Sequence, residues 1–202
     1  MESLPQPTDE ELFARFRKGK RDAFGPLVRR YEGELFGYLR RYLGDHDLAA
    51  DVFQNTFLQV FRKAKQFEAG RPFRPWLYTL ATNQAIDAMR RLGRHPALRL
   101  DESAAEDDKD PLNLGLLLQT PGPGPLEQVE EDERRRMVRE SVDRLPDFLK
   151  QVVLLAYFQG LKQTDIADVL GIPVGTVKSR MHTALARLLE AWQPEAVERD
   201  HS

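Results

Sequence analysis

Cysteine is absent from all 202 residues, which excludes a disulfide framework, a thiolate nucleophile and a zinc-thiolate site. No apolar run is long enough to span a bilayer. The N-terminus, with Glu2, Asp9, Glu10 and Glu11, lacks the basic-then-apolar order of a signal peptide. These absences lead us to expect a soluble, cytoplasmic protein without membrane insertion. The four histidines, His46, His95, His182 and His201, are scattered, with no His-Glu-x-x-His pair, and no phosphate-binding glycine loop occurs. The acid run Glu130-Glu-Asp-Glu133 adjoins Arg134-Arg-Arg136 and reads as a solvated charged face rather than a magnesium site. No cofactor, metal or catalytic residue is expected, so the chain reads as a non-enzyme.

What is present is unevenly distributed. The net charge of −2 conceals three segments: residues 1–95 hold 17 Lys/Arg against 12 Asp/Glu, residues 96–133 hold 2 against 11, and residues 134–202 hold 11 against 9. Two basic segments thus flank an acidic one. The acidic segment runs Asp101-Glu-Ser-Ala-Ala-Glu-Asp-Asp-Lys-Asp110, then Pro111, and ends in Thr120-Pro-Gly-Pro-Gly-Pro125. It has no sustained helical period and reads as an extended linker, although Leu112-Asn-Leu-Gly-Leu-Leu-Leu118 in its middle is too apolar for a purely solvated tether. The expected organisation is all-α, with two helical domains at 1–95 and 126–195 joined by a linker over 96–125.

In the first domain nothing suggests strands. Thr8-Asp-Glu-Glu11 fits a capping box before a short helix containing Leu12, Phe13 and Phe16. A long second helix carries Phe24, Leu27, Val28, Tyr31, Leu35, Leu39 and Tyr42 on one stripe. A third, roughly Asp47 to Gln66, is expected to bury Val52, Phe53, Thr56, Val60 and Phe61. Its opposite face bears Asp51, Gln54, Asn55, Leu58 and Arg62, with Leu58 the odd apolar member. Arg71-Pro-Phe-Arg-Pro75 should break the chain before a fourth helix from about Trp76 to Arg91. There Leu77, Leu80, Ala81, Ala85 and Met89 face inward. Thr79, Asn83, Asp87 and Arg90 form a polar stripe, with Arg91, Arg94 and His95 beyond it. Phe67, Phe73, Trp76 and Tyr78 gather at its start. Rings beside cations and an amide suit single-stranded nucleic acid, since rings stack on bases and cations track phosphates. The same rings also suit a core aromatic cluster beside a solvated helix face.

The second domain carries the most specific pattern. Gln163 to Leu170 reads as a short helix packed through Ile166, Ala167, Val169 and Leu170, Gly171 as a tight turn, and Pro173 as the first position of a longer helix. That helix should bury Val177, Met181, Ala184, Leu185 and Leu188. Its other face shows Gly175, Thr176, Ser179, His182, Thr183 and Ala186, flanked by Lys178, Arg180 and Arg187. A face of small polar groups between cations suits a major groove, where small groups approach base edges and cations meet phosphates. This is a helix-turn-helix that reads DNA.

Three blocks then carry a resemblance: Asp51-Val-Phe-Gln-Asn-Thr-Phe-Leu-Gln-Val-Phe61, Pro75-Trp-Leu-Tyr-Thr-Leu-Ala-Thr-Asn-Gln-Ala-Ile-Asp87, and Gly160-Leu-Lys-Gln-Thr-Asp-Ile-Ala167 with Pro173-Val-Gly-Thr-Val-Lys-Ser-Arg180. Together they resemble bacterial RNA polymerase sigma factors of the extracytoplasmic-function (ECF) group. The resemblance implies that residues 1–95 correspond to region 2 and those from about Leu126 to region 4. Its implied partners are core RNA polymerase, through the β′ clamp and the β flap, and promoter DNA, with an anti-sigma factor as an open third. It assigns Asp51, Gln54, Asn55, Leu58 and Arg62 to the polymerase clamp. Trp76, Thr79, Asn83, Asp87, Arg90 and Arg91 go to the promoter −10 element, where a flipped base lies near Asn83. Thr176, Lys178, Ser179, Arg180, His182, Thr183 and Arg187 go to the −35 element. The linker would thread toward the polymerase active-site and RNA-exit channels.

The chain departs from the family pattern in places. Asn55 stands where glutamate is usual, Lys162 where serine often caps the helix, and Thr183 where one subgroup has arginine. A dimeric helix-turn-helix regulator of duplex DNA is the rival reading. It would need a sensing or dimerising domain, and the N-terminal half shows no ligand or phosphoacceptor constellation.

Overall fold

The computed structural model describes residues 6–93 and 136–192, and the linker, Arg94, His95 and the acid run Glu130–Glu133 lie outside them. All the regular structure among the described residues is helical. The chain divides into two units, taken here in turn.

The first unit is built from α1 (Asp9–Arg17), α2 (Phe24–Leu43), α3 (His46–Lys63) and α4 (Phe73–Arg91), with short 3-10 turns at Arg21–Ala23 and Ala64–Gln66. Thr8 starts α1 with the expected reciprocal cap: Glu11 N–H donates to Thr8 Oγ1 at 3.2 Å and Thr8 N–H to Glu11 Oε2 at 3.0 Å. Gly44 ends α2 with φ +67°, its N–H donating to Arg40 O at 3.0 Å, and the Asp45 carboxylate caps α3 by accepting Leu48 N–H at 3.0 Å. One residue therefore separates a left-handed stop from the next start, and α2 and α3 turn back on each other.

Leu27, Tyr31, Leu35, Tyr38, Leu39 and Tyr42 of α2 pack against Ala49, Val52, Phe57 and Val60 of α3 and Leu77, Tyr78, Ala81 and Ala85 of α4. The expected burial of Phe53 and Phe61 is corrected. Phe57 takes the core position, Phe53 is half-buried, and Phe61 is 50% exposed at the edge of the stripe. The core stripe of α3 follows positions 49, 52, 56, 57 and 60, so a ring one position past Val60 falls outside it. Phe24 and Val28 are likewise half-buried.

The start of α4 is also corrected. The helix begins at Phe73, so Pro75 lies in its first turn instead of before it. Proline is tolerated there because first-turn N–H groups have no acceptor within the helix.

The second unit begins with helical residues 136–143 (α5), followed by α6 (Asp147–Val153), a π-helical stretch at Leu154–Phe158, α7 (Gln163–Leu170) and α8 (Val174–Trp192). Gln159 N–H donates to Leu154 O at 3.2 Å, five residues back, which closes the wide turn. Val138, Val142, Leu149, Val152, Val153 and Leu155 pack with Ile166, Val177, Met181, Ala184, Leu185 and Leu188 to form the core. Lys150 is 7% exposed, its stem buried in this core, and its Nζ meets Asp143 Oδ1 at 2.7 Å.

Candidate nucleic-acid interface

The turn between α7 and α8 forms as a Schellman motif. Gly171 has φ +65°, and Ile172 N–H reaches back to Ala167 O at 3.1 Å. Lys162 O accepts Ile166 N–H at 2.9 Å, so the position that serine often holds begins α7 through its backbone. Pro173 O accepts Val177 N–H at 3.1 Å, which makes Pro173 the residue flanking α8 and Val174 the first helical one. Pro173 was expected one position further in. At the flank, proline has no N–H to leave unpaired, so the helix begins there as readily.

All five expected core residues of α8, Val177, Met181, Ala184, Leu185 and Leu188, are buried. The opposite face separates into two sets. Lys178, His182, Thr183 and Arg187 are exposed, as is Gly175, whereas Thr176, Ser179, Arg180 and Ala186 are half-buried. Ser179 Oγ donates to Thr176 O at 3.1 Å and Thr183 Oγ1 to Ser179 O at 3.0 Å, which leaves each hydroxyl oxygen able to accept but commits its proton. Arg180 lies with its guanidinium 5.5 Å from the Phe148 ring centre, and burial holds its pKa below the ordinary arginine value. Phe148, on α6, was not expected in this face. Its chemistry is a cation–π contact that orients Arg180 along the protein surface.

In the first unit the aromatic rings at the start of α4 resolve into core. Phe13, Phe67, Phe73 and Trp76 form one cluster, with Trp76 centred 5.4 Å from Phe13 and 4.9 Å from Phe67. Phe67 and Phe73 are buried and closed to a nucleobase, and Trp76 is half-buried. Tyr78 points the other way, against Tyr38 at 5.4 Å. The reading of Phe67, Phe73 and Tyr78 as a stacking platform therefore gives way to the core reading, because three neighbouring elements enclose them. Sequence position alone does not reveal that enclosure.

The polar stripe of α4 is present. Asn83 is exposed and Thr79 half-buried, its Oγ1 donating to Pro75 O at 3.0 Å. Asp87 and Arg90 face each other at 3.6 Å, so this pair brings no net charge, while Arg91 stands exposed one residue on. Two carboxylates from other helices hold the first turn of α4. Glu10 Oε1 accepts Phe73 N–H at 3.0 Å, and Glu34 grips Arg74 through two bonds of 3.2 Å each. The Asp9 carboxylate binds the Arg30 guanidinium and accepts from the Tyr31 hydroxyl, which fastens α1 to α2. Burial, and then the Asp9 hydrogen bond, raises the Tyr31 phenol well above its usual range.

On α3, Asp51, Gln54, Asn55, Leu58 and Arg62 are all exposed, Leu58 at 52%. Phe61 joins them as a second apolar group. Its ring lies 5.3 Å from Phe16 and 6.1 Å from Phe24. The sequence pattern places it in the buried stripe, and only its spacing of three residues from Leu58 points to the exposed face. Among the described residues, no group of three or more His, Cys, Asp or Glu side chains is placed to hold a metal ion, and no helix is long and apolar enough to cross a membrane.

Residues 27–95 match Sigma-70 region 2, and residues 135–188 match Sigma-70, region 4. The ECF RNA polymerase sigma-E factor of Haemophilus influenzae is 32% identical over 189 residues, covering 94% of this chain and 97% of that protein. The RNA polymerase sigma-H factor of Pseudomonas aeruginosa is 31% identical over 198 residues, covering 95% and 97%. The ECF RNA polymerase sigma factor SigW of Bacillus subtilis is 32% identical over 166 residues, covering 82% and 87%. In fold, the chain is similar to CnrH, solved with the cytosolic domain of CnrY, at a TM-score of 0.63 and 24% identity over 90% of this chain and 95% of that one. It is also similar to the sigma factor RpoE of Bartonella quintana, solved with the anti-sigma factor NepR, at 0.56 and 22% over 92% and 99%. The helix-turn-helix, the four-helix unit before it and relatives matched along nearly their whole length lead to one conclusion: the chain belongs to the ECF group of RNA polymerase sigma factors.

Proposed function

We propose that three faces divide the work of a sigma factor among themselves in this chain. The face of α3 bearing Asp51, Gln54, Asn55, Leu58 and Arg62, extended by Phe61, docks on core RNA polymerase. The polar stripe of α4, with Asn83 at its centre and Thr79, Asp87, Arg90 and Arg91 around it, holds the single-stranded −10 segment. Trp76 borders that face as a half-buried ring. The exposed side of α8 enters the −35 major groove, with Lys178, His182, Thr183 and Arg187 outermost and Thr176, Ser179 and Arg180 behind them.

The observation that supports this reading is the separation of faces. Each of the three helices buries an apolar stripe and exposes polar side chains on its opposite face. On α8 that surface is small and cationic, as groove entry requires. On α3 it is polar around two exposed apolar groups, which suits protein docking.

No chemical step belongs to this chain under the proposal. Binding energy from holding unstacked bases offsets the cost of opening the duplex, about a few kcal/mol per flipped base. The polymerase supplies phosphoryl transfer, and the protein acts in the cytoplasm where that enzyme works. Residues 96–125 then tether the two DNA-binding units.

Run-off transcription with purified core polymerase on genomic fragments tests this. Transcripts with discrete starts should require both the chain and the core enzyme. Duplex binding to a palindromic site without polymerase-dependent starts would instead establish the dimeric regulator.

A further inference from the structure

The turn that links α1 to α2 carries an excess of positive charge, with Asp22 the one acid in it. Arg15, Arg17, Lys18, Lys20 and Arg21 place five cations in seven positions, with no acid among them, and all five are exposed. None forms an ion pair with a described residue. Helix polarity favours a cation at the C-terminus of α1, but the partial charge there is about half an electron, and Lys20 and Arg21 lie beyond the helix altogether. Like charges crowded this closely repel one another, and the Arg17 contact with the Phe67 ring and the polarity of α1 reach only part of the cluster.

The turn is also well defined. Gly19 has φ +91°, its N–H donates to Phe16 O at 2.9 Å, and Lys20 N–H reaches back to Arg15 O at 3.1 Å. These two bonds are the Schellman closure, so Lys18 and Lys20 project from a fixed backbone. Ring contacts place the turn in the unit. Phe16 lies 5.3 Å from Phe61 near the end of α3, where Lys63 and Lys65 add two more exposed cations. The Arg17 guanidinium lies 5.8 Å from the centre of Phe67, whose ring is 4.9 Å from that of Trp76 in the first turn of α4. The basic surface therefore borders the helix to which the −10 segment is assigned.

We infer that this surface is a second DNA contact, which grips the sugar-phosphate backbone flanking the −10 segment without reading its sequence. The inference rests on the placing of the −10 segment on α4. Flexible lysines and arginines around a glycine turn, with no amide or hydroxyl group among them, suit phosphates and carry no code for bases.

The test uses holoenzyme formed from the full chain and core polymerase, with promoter affinity measured across a salt series. Lys18→Gln/Lys20→Gln should flatten the dependence of log K on log salt by about 1.4 to 1.8, since each neutralised phosphate contributes about 0.7 on a single strand and about 0.9 on duplex. Base preference at the −10 element should not change. Arg40→Gln/Arg139→Gln removes the same charge from exposed helical positions outside all the proposed faces and should leave the slope at the wild-type value. An unchanged slope in the Lys18/Lys20 variant overturns the proposal. So does an equal flattening in both variants, which would reflect net charge alone. Weaker binding to core polymerase with the slope intact also overturns it, and would assign the surface to a protein partner. Failure of the underlying reading shows separately, as a wild-type holoenzyme that opens no promoter.

Discussion

The Glu10 carboxylate of α1 accepts the Phe73 N–H at the first position of α4, 3.0 Å away and 63 residues along the chain. Pro72, in the flanking position, offers no side-chain oxygen, so the cap that a helix usually draws from its own flank comes from another helix. A negative group also suits the positive end of the helix. Glu10→Ala should destabilise the first unit by about 1 kcal/mol, the typical worth of a cap, and Glu10→Gln by clearly less, because its amide oxygen can still accept. Urea unfolding followed by Trp76 fluorescence in a Trp192→Phe background would measure both. Equal losses from the two variants would show that charge, not the hydrogen bond, is what matters.

Buried deeper in the same unit, the Tyr38 hydroxyl and Thr82 Oγ1 lie 2.8 Å apart, and neither side chain reaches solvent. Burial raises the Tyr38 phenol far above its usual range, so it remains a neutral hydroxyl, and either oxygen of the pair can donate. Thr82→Val preserves shape but leaves the phenol without its partner, at a cost of about 1–3 kcal/mol. The double variant Tyr38→Phe/Thr82→Val should recover much of that loss, since no polar group is then stranded. A double-mutant cycle in urea checks the coupling, and additive losses would mean the bond carries no net stability.

Leu58→Glu places a charge in the proposed polymerase-docking face at a side chain that is 52% exposed. Helix content by circular dichroism should stay at the wild-type level while affinity for core polymerase falls by tenfold or more, about 1.4 kcal/mol. Loss of folding would instead make Leu58 a structural residue. Retained affinity would move the docking face elsewhere on the unit.

Asn83 presents an exposed amide able to donate to and accept from a base edge. Asn83→Ala should reduce promoter opening by roughly tenfold, since one good base contact is worth about 1–3 kcal/mol. Core binding and −35 contact should persist, and a template already mismatched across the −10 segment should recover part of the activity. Permanganate reactivity of unpaired thymines reports opening on both templates. Normal opening of the fully paired promoter would remove Asn83 from the proposed site.

On α8, the exposed Thr183 and Arg187 should behave differently. Thr183 variants should shift the preferred −35 sequence in a binding selection. Arg187→Ala should instead weaken binding on every sequence and lower the salt slope by about 1. Unaltered preferences in the Thr183 variants would place the reading face on another side of the helix.

Local pattern was enough to place the four helices of the first unit, the helix-turn-helix and some of their boundaries. A period of 3.6 marked the buried stripes of α2, α4 and α8, and Thr8 with Glu11, and Gly171, marked a start and a stop, because capping and periodicity act within one or two turns of chain. The three sequence blocks also identified the family, since they combine stripes, turns and functional faces in one order. Only the tertiary structure decided which of several rings on an apolar run goes inside. Phe57 is enclosed while Phe61 is left at the surface, and Phe67, Phe73 and Tyr78 are closed within the core. The Glu10 cap on α4, the Glu34 grip on Arg74 and the seating of Arg180 against Phe148 were equally illegible in sequence. Each depends on the distance between two elements, and periodicity along one helix carries no information about how far away its neighbour lies.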